Sequence, residues 1–331
     1  MQKILIIQTA FIGDVVLATG IAEKLHNHYP QAQLDFLLRK GNEGLLSNHP
    51  FLKEILIWDK TKNKWGNLFK MLNLVRRNKY DKVINLQRFG STGLLTAFSN
   101  AKEKIGFDKN PFSFLFSKNI KHSMNEGRHE VERNHDLIKD FTDAVFAKPK
   151  LYPSEKDITS IQAYTDQPYI CIAPSSVWFT KQYPAERWIE LIKAMPATYK
   201  IFLLGGKDDK NLCETIHIAT HKKTEVLAGK LNYLQSAALM KSAAMNYVND
   251  SGPLHFASAM NASVTAIFCS TIPGFGFGPL SDNSFIIETK LPLTCKPCTL
   301  HGRKTCPLGH FKCALTIETK QLLNPITNLH E

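Results

Sequence analysis

The chain alternates short apolar runs with helix-length segments, and the alternation starts again half-way along. The runs cover 4–7, 34–38, 54–58 and 82–86 in the first half, and 169–173, 201–204, 224–227, 247–249 and 264–268 in the second. Uninterrupted apolar runs are typical of strands buried on both faces, as in a parallel sheet covered by helices. The pattern therefore predicts an α/β protein with two doubly wound sheets.

A chain of 331 residues also exceeds the size at which a single core stops growing. Pro149, Pro153 and the polar stretch 154–167 divide the halves, and we place a hinge there. We expect domains at 1–153 and 168–331, with the final helix packing back on the first domain. Two facing domains of this kind bind ligands at the carboxyl ends of their strands, in the cleft between them.

The composition favours an acidic partner and a cytoplasmic setting. Lys and Arg number 41 against 29 Asp and Glu, a net charge of +12 that suits nucleotides, nucleic acid or an anionic membrane surface. No apolar run reaches the length of about 18 residues that spans a membrane. Asp14 interrupts the apolar N-terminus, which therefore predicts a first strand rather than a signal peptide. Seven cysteines, an odd number, agree with free thiols in a reducing compartment.

The segment 249–255, Asn-Asp-Ser-Gly-Pro-Leu-His, connects a predicted strand to a small-residue helix. Ser251 and Gly252 fall at the helix N-terminus, where free backbone N–H groups and the helix dipole can hold a phosphate or diphosphate without a metal. An ordinary N-cap is the alternative.

Three further strand ends carry candidate groups. Asp14 follows Gly13 in the first strand-to-helix loop, where its carboxylate serves either as a general base or as a helix cap. That loop contains no G-x-G-x-x-G, which argues against a dinucleotide-binding dehydrogenase. After the strand 169–173, Ser175 and Ser176 can donate to phosphate oxygens and Lys181 offers a cation, unless it is simply solvated. Gly205 ends another strand.

In this order the motifs resemble glycosyltransferase family nine, the ADP-heptose:lipopolysaccharide heptosyltransferases, over essentially the whole chain. The matching stretches are 12–19, 129–133, 173–188, 203–206, 250–255 and the cysteine-rich tail. The resemblance implies the GT-B architecture, with an N-terminal acceptor domain and a C-terminal donor domain that both resemble Rossmann folds. It also implies an inverting enzyme without a required metal. Relatives often have Gly where this chain has Ser175.

The resemblance also implies roles for individual residues. Asp14 matches the base that deprotonates the acceptor hydroxyl, and Lys181 matches a lysine that binds the diphosphate. The remaining donor-binding residues are Ser175, Ser176, Gly205, Asp250, Ser251, Gly252 and His255. Gly13, Lys109, Arg128 and Arg133 are the predicted acceptor-binding residues.

The tail contains Cys295, Cys298, Cys306 and Cys313, enough ligands for a tetrahedral zinc site. A second C-x-x-C is missing, so we favour reduced cysteines without metal and expect no cofactor.

Two basic segments bear on the acceptor. In 60–82 an apolar stripe follows helical spacing, which favours core packing over membrane contact. The aromatic residues of 102–128 follow no clean helical period, which favours an acceptor loop.

The sequence thus predicts transfer of a heptose from ADP-heptose to a lipid-linked inner-core lipopolysaccharide acceptor, by an enzyme bound peripherally to the inner face of the inner membrane. Two alternatives remain, another nucleotide sugar for a surface polysaccharide or a non-catalytic nucleotide- or RNA-binding protein. The candidate groups sit at strand ends rather than on a single-strand platform, so we expect no nucleic-acid partner.

Overall fold

The computed structural model describes residues 1–124 and 127–327. The chain divides into two compact units, Met1–Tyr152 and a second unit that begins at Pro153. Each unit is built on its own six-stranded parallel sheet.

The first unit is a sheet of parallel strands joined by helices. Its elements are β1 (Lys3–Ile7), α1 (Ile12–His28), β2 (Gln33–Arg39), β3 (Leu52–Trp58), α2 (Lys64–Asn78), β4 (Lys82–Asn85), α3 (Gly90–Ala97), β5 (Glu103–Phe107), β6 (Lys118–Ile120) and α4 (Glu130–His135). The strand order is β3-β2-β1-β4-β5-β6, and every pairing is parallel.

The second unit repeats this plan. Its elements are α5 (Glu155–Ser160), β7 (Tyr169–Ala173), α6 (Ala185–Ala194), β8 (Lys200–Leu203), α7 (Lys210–Ala219), β9 (Glu225–Val226), α8 (Tyr233–Lys241), β10 (Met245–Asn249), α9 (Gly252–Met260), β11 (Val264–Ile267), β12 (Ser284–Ile287), α10 (Lys312–Leu315) and α11 (Thr319–Thr327). Its strand order is β12-β11-β10-β7-β8-β9. When its strands are renumbered from the first strand of the unit, this order is the same as that of the first sheet.

Both sheets therefore have the doubly wound Rossmann order, which confirms the predicted α/β fold class. The strand order reverses between β1 and β4 in the first unit and between β7 and β10 in the second. Ligands of such sheets bind beyond the carboxyl ends of the strands at this reversal. These two strand pairs consequently mark where a functional site is expected in each unit.

The segment 102–128 differs from the predicted acceptor loop because it contains β5 and β6. Charged residues interrupt the apolar positions of β5, which conceals the strand in the sequence. Phe107 and Phe116 are buried, and a Cβ on Gly106 would lie 2.6 Å from the ring of Phe116. These aromatic side chains are therefore core residues, whereas Phe114 remains exposed. Residues 125 and 126 of this segment lie outside the described part of the chain.

The predicted hinge 154–167 also contains structure, and it belongs to the second unit. Ser154 caps α5, and Asp157 and Ser160 of that helix accept hydrogen bonds from Asn232 and Gln235 at the start of α8. Leu322 and Ile326 of α11, the last helix in the described part of the chain, are buried in the core of the second unit, and residues 328–331 lie outside that part.

Helix α2 confirms that the apolar stripe of the segment 60–82 is a core stripe. Leu68, Leu72 and Val75 are buried in the first unit's core. Trp65 and Phe69, one turn apart, remain 63% and 55% exposed. Among the residues that the structure describes, no helix combines the length and apolarity needed to cross a membrane.

Candidate functional site

The strand reversal of the second sheet brings together most of the predicted donor-binding residues. Ser175 and Ser176 follow β7, and Asp250 and Ser251 follow the neighbouring strand β10. Asn249, which is fully buried, connects the two strand ends. Its side-chain amide donates to the carbonyl of Pro174 at 2.8 Å, and its side-chain oxygen accepts from the N–H of Tyr183 at 2.9 Å. The loop 174–183 is therefore fastened at both ends to β10.

Lys181 points from this loop to Asp250. Its ammonium lies 2.8 Å from the Asp250 carboxylate, and the two side chains are 15% and 8% exposed. The hydroxyl of Thr271 donates to the same carboxylate oxygen at 2.6 Å. An ion pair this far from solvent fixes the lysine as a local cation whose remaining donors can contact an anion.

Helix α9 begins beside this ion pair. Ser251 is its N-cap and Gly252 its first residue, and Pro253 occupies the first turn, where its missing N–H costs nothing. The hydroxyl of Ser251 donates to the carbonyl of Asn249 at 3.3 Å. His255 is buried in the same helix, with its ring edge-on to Phe277. The nine-residue helix thus directs its positive end to the same strand reversal as Lys181.

Gly205 lies two residues beyond the end of β8, the strand next to β7, and has a local packing role. A Cβ at this position would lie 2.6 Å from the Cβ of Asp209. Asp209 in turn accepts from the N–H of Gly206 at 2.7 Å. Gly205 lets this capping carboxylate close over the strand end.

The strand reversal of the first sheet carries Asp14. Helix α1 begins at Ile12, so Gly13 and Asp14, which were predicted to lie in the strand-to-helix loop, are inside its first turn. The carboxylate of Asp14 accepts from the N–H of Phe11 at 3.2 Å, so Asp14 helps to cap the helix from its third position, and Phe11 is the N-cap residue. Asp14 remains half-buried, so capping and contact with a substrate are compatible.

Comparison with known proteins identifies the family of this two-unit chain. The family model described as glycosyltransferase family 9 (heptosyltransferase) matches residues 68–311. This chain belongs to glycosyltransferase family 9. Lipopolysaccharide heptosyltransferase 3 of Escherichia coli is 27% identical over 279 residues, which cover 79% of this chain and 82% of the relative.

Solved structures show the same fold over nearly the whole length. The family 9 glycosyltransferase of Veillonella parvula has a TM-score of 0.85 at 21% identity and covers 99% of this chain and 97% of its own. ADP-heptose lipopolysaccharide heptosyltransferase II of E. coli has a TM-score of 0.81 at 22% identity, covering 99% and 98%. These structures confirm the predicted GT-B fold class, and the family model identifies the protein as a glycosyltransferase enzyme.

The family 9 transferase also has a chain of hydrogen-bonded polar side chains that the sequence did not indicate, at the carboxyl edge of the first sheet, where α1 begins and Asp14 lies. The ammonium of Lys60 donates to the hydroxyl of Thr9 at 2.6 Å, and Thr9 donates to the side chain of Gln87 at 3.2 Å. Lys60 lies 4.3 Å from the ring centre of Trp58. Burial, and then the charges of Arg39 and Lys64, lower the pKa of Lys60 to about 8. Lys60 is one of many basic residues in 60–82, so the sequence alone did not distinguish it from its neighbours.

The remaining predicted acceptor-binding residues of the transferase have different surroundings. Lys109 is exposed in the turn after β5. Arg128 pairs with Asp136 at 2.7 Å. Arg133 differs from an acceptor-facing cation because it is 3% exposed and pairs with Glu130 at 2.7 Å. Burial, and then the charges of Arg88 and Arg133, lower the pKa of the nearby His122 to about 4, so its ring is neutral at pH 7.

The four tail cysteines of the transferase are free thiols. Cys295 lies 3.9 Å from the ring of His310, and burial raises the pKa of Cys313 to about 11. Over residues 1–124 and 127–327, no group of three or more His, Cys, Asp or Glu side chains is arranged to hold a metal ion. The tail is close to the predicted donor-binding residues. The N–H of Cys298 donates to the carbonyl of Ser270 at 2.9 Å, and the next residue, Thr271, donates to Asp250.

Proposed function

We propose that this enzyme transfers a heptose from ADP-heptose to an inner-core lipopolysaccharide acceptor, with inversion at the anomeric carbon. Family membership and the E. coli relative's name support the sugar and the acceptor class. The observation that carries the proposal is the buried Lys181–Asp250 pair next to the N-terminus of α9. Together they offer a cation and backbone donors to a diphosphate at the position where doubly wound sheets bind nucleotides.

The reaction follows from these groups. Asp14 accepts the proton of the acceptor hydroxyl while the hydroxyl oxygen attacks the anomeric carbon of the heptose. The bond between that carbon and the diphosphate oxygen breaks on the opposite face, and ADP leaves. Negative charge grows on the diphosphate, where Lys181, the Ser175–Ser176 loop and the first amides of α9 stabilise it. Since these donors supply the positive charge, the proposed reaction needs no metal, and we expect transfer to survive treatment with EDTA.

The acceptor binds, in this proposal, at the carboxyl edge of the first sheet. Gly13 and Asp14 lie in the first turn of α1 there, and the Lys60–Thr9–Gln87 chain follows strands β3, β1 and β4 at the same edge. The exposed Lys109 and the partly exposed Arg128 add positive charge for an anionic acceptor. Arg133 supports this surface indirectly, because its guanidinium donates to the backbone carbonyl of Arg128.

Because the acceptor is lipid-linked, we further propose that the enzyme binds the inner face of the inner membrane through α2. The exposed rings of Trp65 and Phe69 lie on one face of that helix, and the exposed Lys62, Lys64 and Lys70 surround them. Aromatic side chains flanked by lysines are typical of helices that lie in a membrane interface.

A vesicle-binding assay tests this surface. We expect the protein to sediment with vesicles of phosphatidylglycerol and phosphatidylcholine at low salt, and the double variant Trp65→Ser/Phe69→Ser to bind at least about tenfold more weakly, since each ring buries apolar area on binding. Ile218→Ser, which removes an exposed apolar side chain from α7, is the matched control. Equal binding by the double variant and this control would contradict the proposed membrane face.

Thermal stabilisation tests the donor. A ligand that binds only the folded protein raises the free energy of unfolding, by about 2.7 kcal/mol at a concentration one hundred times its Kd. We expect ADP to raise the melting temperature more than UDP, GDP, CMP or NAD at equal concentration. Preference for another nucleotide would indicate a transferase with a different sugar donor. No response to any nucleotide, with tighter binding to RNA, would contradict the enzyme's proposed donor site.

A further inference from the structure

The cysteine-rich tail lies directly against the turn that carries Lys181. The turn is a single 3₁₀ turn, Phe179–Lys181, and the tail residues that contact it include Gly302, Arg303 and Phe311. The backbone N–H of Thr180 donates to the carbonyl of Arg303 at 3.1 Å, and the N–H of Arg303 donates to the hydroxyl of Thr180 at 2.8 Å. Turn and tail are thus joined by a reciprocal pair of hydrogen bonds at one residue.

Thr180 is 1% exposed and its hydroxyl accepts a second hydrogen bond, from Ser270, at 2.9 Å. Ser270 follows β11, and its carbonyl accepts from the N–H of Cys298. One buried hydroxyl therefore connects the lysine turn, the end of β11 and the tail. A buried group with this many partners is costly to displace, which makes the turn rigid.

Gly302 brings the tail into contact with the lysine itself. A Cβ at this position would lie 2.8 Å from the Cγ of Lys181 and 3.0 Å from the Cβ of Trp178. Real side chains do not approach this closely, so the alkyl stem of Lys181 rests against the bare glycine backbone. The stem is thereby held on one side by the tail, while its ammonium is held by Asp250 at 2.8 Å.

We infer that Thr180 and Gly302 are positioning residues for the donor, which fix the Lys181 ammonium where the diphosphate binds. The inference rests on the proposed function, in which Lys181 contacts the diphosphate of ADP-heptose. It gives the tail a role in donor binding that does not require a metal at its cysteines. A displacement of the ammonium by about 1 Å is enough to weaken a preorganised contact strongly.

The chain provides a matched pair of glycines for the test. Gly302 and Gly309 lie in the same tail and have φ angles of +83° and +69°, so alanine strains the backbone at either position. Around Gly309, however, a Cβ meets no described atom within 4 Å. The difference between Gly302→Ala and Gly309→Ala therefore measures the contact with Lys181 and Trp178 rather than the backbone strain.

We expect Gly302→Ala to raise the Kd for ADP about tenfold and the KM for the sugar donor by a similar factor, with Gly309→Ala within about twofold of wild type. Adenosine, which lacks the diphosphate, should bind both variants with equal affinity. Thr180→Val should also weaken ADP binding several-fold, and Thr180→Ser, which keeps the hydroxyl, should restore it. This second pair decides the question if Gly302→Ala does not fold.

The outcomes separate the inference from the proposed function. If ADP affinity depends on Lys181 but is equal in Gly302→Ala and Gly309→Ala, and unchanged in Thr180→Val, the positioning role is wrong while the donor site stands. An equal loss of adenosine and ADP affinity would show general damage to the second unit and overturn the inference. If ADP affinity does not depend on Lys181, both the donor site and the inference fail.

Discussion

Replacing Asp14 with asparagine lowers turnover by a factor of about 10² to 10⁴ in the proposed mechanism, with ADP affinity within about twofold of wild type. The amide cannot take the proton of the attacking hydroxyl, which removes the general base. Its side-chain oxygen can still accept from the N–H of Phe11, so α1 keeps its cap. Steady-state kinetics with saturating donor and acceptor, beside calorimetric titration with ADP, measure both quantities.

Asp157→Asn is the matched control for losing a capping carboxylate. Asp157 occupies the same position in the first turn of α5 and accepts from the N–H of Ser154 at 2.9 Å. We expect this variant to keep turnover within about twofold of wild type, because Asp157 takes no part in the proposed proton transfer. A similar loss of turnover in both variants would mean that helix capping, not proton transfer, explains the effect of Asp14→Asn.

Replacing Lys181 with alanine raises the Kd for ADP by a factor of about 10 to 100, since a charge-assisted hydrogen bond to phosphate is lost. The increase in Kd is made larger by Asp250, because its carboxylate is only 8% exposed and no longer has the Lys181 ammonium as a partner. An uncompensated buried carboxylate beside the diphosphate repels it. Calorimetric titration of the two proteins with ADP measures the change directly.

The double variant Lys181→Ala/Asp250→Asn separates these two contributions. It also lacks the cation but no longer has the repelling carboxylate, so we expect it to bind ADP more tightly than Lys181→Ala and more weakly than wild type. Lys193→Ala removes an exposed lysine from α6 and should leave the Kd unchanged. Equal ADP affinity in wild type and Lys181→Ala would exclude Lys181 from the donor site.

Part of the fold was predictable because some central strands are apolar along nearly their whole length. Residues 4–7 of β1 and all of β7 are apolar and buried, so the local sequence is enough to recognise these strands, whereas Asn246 and Asn249 interrupt the buried β10. β5 and β6 escaped prediction since Glu103, Lys104 and Lys118 interrupt their apolar positions near the edge of the sheet. The strand character of β5 depends on its pairing with β4, and that of β6 on its pairing with β5, which no local sequence pattern contains.

The candidate site was predictable in its residue types and much less in its connections. Strand-to-helix loops marked Ser175 and Ser251, since the physical chemistry of helix N-termini is local. The partnership of Lys181 with Asp250 joins two distant parts of the chain, and so does the contact of Gly302 with Lys181. Likewise, Lys60 is distinguished from its basic neighbours only by its burial against Trp58 and its bond to Thr9.

Transfer itself tests the central claim most directly. The purified enzyme would be incubated with ADP-heptose and an inner-core lipopolysaccharide acceptor that lacks the heptose, and the acceptor analysed by mass spectrometry. The account predicts a gain of one heptose per acceptor and an equal amount of ADP, both lost in Asp14→Asn. Transfer of another sugar from a different nucleotide, with none from ADP-heptose, would contradict the proposed donor, and undiminished heptose transfer by Asp14→Asn would contradict the proposed base.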